Sequence, residues 1–145
     1  MDMTFREKSS WGSLIALGTV AYWYFPRAFR IASNSNEATD MLGISITCIV
    51  ALILIQAIYH GIIASKGSDR IDERDILIDL KAERIAGYVL GIGLFWLVGH
   101  IVASGSSDMV AEVGTLSIAV WILFAITVSE IGKLSARIVY YQVDA

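Results

Sequence analysis

Apolar residues in this chain fall into four long blocks separated by short polar stretches. The blocks run from Trp11 to Phe29, Met41 to Ala64, Ile85 to Ala103 and Val110 to Ile131. A helix needs roughly 20 mostly apolar residues to cross the hydrocarbon of a bilayer. In lipid the backbone must satisfy its own hydrogen bonds, and a helix does so within one segment. The pattern therefore predicts an all-α integral membrane protein, a four-helix bundle whose 145 residues form a single membrane domain. None of the intervening stretches approaches the roughly 50 residues that a separate soluble domain needs.

The third block has a charged preface that stays in phase with it. On a helical wheel of residues 70 to 96, Asp72, Asp75, Asp79 and Glu83 share one face, and Arg70, Arg74 and Lys81 share the opposite one. Between them lie two apolar flanks. One reads Ile71, Ile78, Ile85, Ile92, and adding Asp75, Ala82, Val89 and Trp96 gives alternating spacings of four and three, as in a coiled-coil seam. The other reads Ile76, Leu80, Gly87, Leu90, Leu94, Leu97. Both flanks pass the membrane boundary without changing phase. The spacing predicts one helix that starts near Asp72, projects into the cytoplasm over about residues 72 to 84 and continues as the third span. Some 30 residues at about 1.5 Å each give on the order of 45 Å, more than the hydrocarbon requires. Two apolar flanks imply neighbours on two sides, inside a bundle or at a subunit contact. The plainer alternative is a solvated, charged linker.

Charge sets the orientation. Lysine and arginine collect on the cytoplasmic side of membrane proteins. Nine of the eleven here (Arg6, Lys8, Lys66, Arg70, Arg74, Lys81, Arg84, Lys133 and Arg137) fall on one side of the spans, and only Arg27 and Arg30 on the other. Both termini are therefore expected in the cytoplasm. Tyr22, Trp23 and Tyr24 suit the outer interface, and Trp11, Tyr59, Tyr88 and Tyr140 the inner one. Trp96 and Trp121 fall at mid-depth and are expected to pack on other helices. Arg6 and Lys8 before Leu14 to Val20 imitate a signal peptide, but the apolar run continues into "AYWYFPRAF" without a small-residue cleavage site. A retained first span is expected, bent or continuous at Pro26, with Arg27 and Arg30 reaching the headgroups. The loop "ASNSNEATD" offers caps for the second span, and "SGSSD" makes a short turn before the fourth.

The run "DERDILIDLKAERIAGYVL", Asp72 to Leu90, resembles a signature of an uncharacterised family of small bacterial four-span membrane proteins. The resemblance implies an inner-membrane location and a juxtamembrane role for this helix. It carries no activity and names no catalytic residue.

Small residues let helices approach closely in lipid. Gly87 and Gly91 have GxxxG spacing. Gly99 with Ala103, Ala125 with Ser129, and Gly132 with Ala136 repeat it. Their concentration on the third and fourth spans predicts that these two pack together, antiparallel across a short connection.

Ionisable residues inside spans are functional candidates by default. Gln56, His60 and Glu130 form a candidate intramembrane polar site near the cytoplasmic boundary, and His100 and Glu112 a candidate pair near the outer one. Either pair could relay a proton or pass a cation, since histidine titrates near neutrality. The competing reading is interfacial placement, with Lys133 pairing locally with Glu130. Nothing charged lies at mid-membrane, where transporter sites usually sit.

Other chemistry finds little support. The net charge of −3 lacks the basic excess of a nucleic-acid partner. The single cysteine, Cys48, has no disulfide partner within the chain and reads as a small buried hydrophobe. The acid stripe lacks the glycine turn of a calcium loop, and no metalloprotease, phosphate-loop or nucleophile-elbow motif occurs. No cofactor, metal or catalytic residue is expected. Two functions fit: a non-catalytic membrane interaction protein (accessory subunit, scaffold or regulator), or a small homo-oligomeric channel or transporter for a proton, cation or small solute. The expected partners are the lipid bilayer with either further copies of the chain or other membrane subunits. For the first function the contacts would run through the helix bearing Asp72, Arg74, Asp75, Asp79, Lys81 and Glu83.

Overall fold

The computed structural model describes the backbone of residues 5–33, 38–64, 73–105 and 115–143, and the side chains of 7–33, 41–55, 57, 58, 73–104 and 116–143. The described residues form four helices and no strand: α1 (Phe5–Ser33), α2 (Ala38–Ala64), α3 (Glu73–Gly105) and α4 (Thr115–Val143). Lys66, Arg70, Ile71, Asp72, Glu112 and the stretches 34–37 and 106–114 lie outside the described residues, as do the side chains of Arg6, Gln56, Tyr59 and His60.

The charged preface and the third apolar block form one helix, as their common phase predicts. α3 has 33 residues, about 50 Å at 1.5 Å per residue. Pro26 does not end α1, which runs through it for 29 residues. A proline deprives the carbonyl four residues back of its donor and crowds the turn. Next to this break the Arg27 guanidinium donates from Nη1 to the Trp23 carbonyl at 2.7 Å and lies 4.1 Å from the Trp23 ring centroid. α4 differs from expectation. It starts at Thr115 and continues past Ile131 to Val143, so two helices, not one, carry charged ends beyond their apolar stretches.

The helices pack as an open row. α3 lies on α4, α4 on α1 and α1 on α2. α2 and α4 both flank α1, and α3 has one main neighbour where its two apolar flanks implied two. The first flank packs in part, with Ile92 on it exposed. Ile78 and Ala82 are buried, and Trp96 meets Trp121 of α4 at 5.3 Å between ring centroids. On the second flank Leu97 is buried, while Ile76, Leu80 and Gly87 are exposed.

The core sits at the end of the bundle where α1 finishes. It gathers Tyr24, Phe25, Ala28 and Ala32 of α1, Met41 and Cys48 of α2, and Val120 of α4. Edge-to-face ring contacts extend it, from Phe25 to Phe124 at 5.0 Å and from Phe29 to Trp121 at 4.9 Å. Trp96 and Trp121, placed at mid-depth by the sequence, do pack between helices.

Among the described residues two helices, Glu73–Ser104 and Leu116–Val143, are long and apolar enough to cross a membrane. The described apolar stretch of α2, Met41–Ile55, is shorter. The apolar surface of α3 faces outward: Phe95 is 80% exposed, Ile92 71% and Val102 65%. A core helix of a soluble protein would bury such residues, because soluble monomers rarely show apolar patches beyond a few hundred Å².

Candidate interaction surface

α3 and α4 run antiparallel, and their charged ends meet in a ladder. The Tyr141 hydroxyl donates to Asp75 Oδ1 at 2.9 Å. Arg137 Nη2 lies 2.7 Å from Asp79 Oδ1, and Lys133 Nζ lies 2.5 Å from Glu83 Oε2. One turn further in, the buried Ser129 hydroxyl donates to the Ala86 carbonyl at 2.8 Å. Both sets follow the helix repeat: residues 75, 79 and 83 climb α3 in steps of four while 141, 137 and 133 descend α4 in the same steps. Residues four apart lie on one helix face, so one acidic stripe faces one basic stripe. Lys81 adds a contact from the side, with Nζ 5.3 Å from the Tyr140 ring centroid.

The acids Asp75, Asp79 and Glu83 are engaged by the chain's own fourth helix. Lys133 pairs with Glu83 rather than locally with Glu130. The face turned away from α4 is different in kind. Ile76, Leu77 and Leu80 are 50%, 58% and 61% exposed there, with Glu73, Arg74, Lys81 and Arg84 exposed around them. If Arg84 marks the boundary, Ile76 stands eight residues or about 12 Å beyond it, past most of the headgroup layer.

The glycines sort by face as well. Gly87, Gly91 and Gly99 have open space where a Cβ would stand. They do not mediate the α3–α4 contact that their spacing suggested. Gly93 does: a Cβ there would stand 3.2 Å from Ala125 Cβ. Gly132 agrees with expectation, with Val89 Cγ2 at 3.6 Å from its Cβ position. Gly87 and Gly91, exposed beside Tyr88, continue the open face below Leu80.

Of the polar candidates, Glu130 is exposed on α4, while the side chains of Gln56 and His60, and Glu112, lie outside the described residues. His100 is exposed and stacks on Trp96 of its own helix, 5.6 Å between centroids and 3° between planes. Among the described residues no group of three histidine, cysteine or carboxylate side chains is placed to hold a metal.

No family model, curated protein or solved structure matches the chain.

Proposed function

We propose that the chain is a non-catalytic integral membrane interaction protein, an accessory subunit, scaffold or regulator of a membrane complex. In this reading all four helices cross a bacterial inner membrane, with both termini in the cytoplasm. The α3–α4 ladder then forms a short helical stalk on the cytoplasmic side. The supporting observation is the outer face of α3: Ile76, Leu77 and Leu80 are exposed on a segment too charged to lie in hydrocarbon. Apolar side chains at that height have no lipid tails to cover them, so a protein partner is the natural cover. Arginines beside the stripe favour a partner with acidic residues at the same height. A parallel second copy would set Arg84 near Arg84, which favours a different subunit.

The test is a Leu80→Glu variant compared with Glu130→Gln, both purified from their own membranes. Leu80→Glu should release the co-purifying protein while helix content stays unchanged, and Glu130→Gln should not. Proton or cation flux into vesicles, abolished by Glu130→Gln, would replace this reading with the channel.

A further inference from the structure

A cleft opens between α2 and α4, with α1 as its floor. Leu17 and Ala21 form the base, and its volume is about 130 Å³. Apolar cavities of about 150 Å³ stay dry and accept apolar guests. Ile49 and Leu123, 56% and 43% exposed, stand on its two rims, so the mouth faces outward from the row of helices.

Its polar groups are turned to internal use. The Tyr24 and Ser45 hydroxyls bond to each other at 3.0 Å, and Thr127 donates to the Leu123 carbonyl at 2.8 Å. The remaining heteroatom, the Cys48 sulfur, is a weak hydrogen-bonding group. A polar solute would find nothing to replace its water, whereas a hydrocarbon chain would fit without loss. From Leu17 to Tyr24 the floor runs about 10 Å. Arg27 is one turn beyond Tyr24 and exposed. One of its guanidinium nitrogens is used on Trp23, and its planar fork has five N–H donors in all, a match for a phosphate.

We propose that this cleft binds one acyl chain of an anionic glycerophospholipid, whose phosphate is held by Arg27. The proposal rests on the reading that the chain lies in a bilayer. It adds a specific lipid site in the leaflet opposite the stalk.

The experiment uses the full chain purified in mild detergent, loaded with phosphatidylglycerol or phosphatidylcholine and examined by native mass spectrometry. One phosphatidylglycerol should remain per chain after the micelle is removed, at least about fivefold more than phosphatidylcholine, whose phosphate is already compensated by its own trimethylammonium group, whereas that of phosphatidylglycerol leaves its charge to the Arg27 guanidinium. Ala21→Leu and Cys48→Leu fill the cleft from two helices, and either should reduce retention by a similar factor. Arg27→Gln should erase the difference between the two lipids. Equal retention in wild type and filled variants would overturn the proposal, as would no retention at all. Should neither filled variant fold, the thiol decides. Phosphatidylglycerol should slow modification of Cys48 by N-ethylmaleimide in the wild type, and an unchanged rate overturns the site. A chain that stays in solution without detergent would sink the membrane reading itself. One that needs membranes but retains no lipid would sink the cleft alone.

Discussion

Reversing one rung of the ladder should destabilise the hairpin, and reversing both ends should restore it. Asp79 and Arg137 approach to 2.7 Å, with 36% and 25% of their side-chain surfaces exposed. Fully exposed pairs contribute about 0.2–1 kcal/mol, and breaking a fully buried pair costs about 3–5 kcal/mol. This half-covered rung belongs between them, at about 1–2 kcal/mol. Arg137→Asp replaces attraction by repulsion at the same place and should cost roughly 2–3 kcal/mol. Asp79→Arg should cost about the same, because it sets two cations on the same rung. The double exchange should recover at least about 1 kcal/mol of coupling over the sum of the singles. Thermal unfolding in detergent, followed by far-UV circular dichroism, gives the readout. About 1 kcal/mol corresponds to a shift of roughly 3–4 °C for a chain of this size. The singles should fall by roughly twice that or more, the double should rise back, and 1 M salt should narrow the differences. Singles that melt with the wild type, or a double no better than their sum, would refute the ladder and the continuation of α4 that builds it.

Three further outcomes follow from the packing. Gly93→Leu should destabilise the α3–α4 pair by about 1–3 kcal/mol through overpacking, since even a Cβ there stands 3.2 Å from Ala125 Cβ. Gly91→Leu, in open space, should leave melting unchanged; equal melting of the two would reverse the assignment of faces. Ser129→Ala leaves the Ala86 carbonyl without this partner and should lower stability by about 0.6 kcal/mol, the average for such bonds between membrane helices, while a gain in melting temperature would contradict the buried bond. Cys48, 6% exposed, should react with maleimides far more slowly in folded protein than after denaturation, and equal rates would place it outside the core.

Much of α3 was legible because one phase was kept from its charged part into its apolar part. Asp75, Ile78, Ala82, Val89 and Trp96 already follow the seam that meets α4. What stayed hidden was the partner of the acids. The continuation of α4 was signalled by Lys133, Arg137 and Tyr141 at four-residue spacing, the mirror of Asp75, Asp79 and Glu83. A reading that ends the helix where its apolar block ends discards that signal. The glycines failed for a different reason. GxxxG spacing puts Gly87 and Gly91 on one face but does not say which face a neighbour takes, and Gly93, two residues past Gly91 and in phase with Val89, is the one that meets α4. Span counting also outran what can be seen. α3 and α4 carry enough apolar length to cross a membrane, whereas α1 ends in Arg27 and Arg30 and the described apolar stretch of α2 is shorter.

The central claim is that the outer face of α3 is covered by another protein in the native membrane. The most direct measurement is the mass and composition of the particle extracted from its own membranes in mild detergent. The account predicts a stoichiometric assembly containing a second protein, larger than the 15.8 kDa chain by that partner's mass, which Leu80→Glu reduces to the chain alone. A wild-type particle already consisting of one chain with detergent and lipid would contradict it.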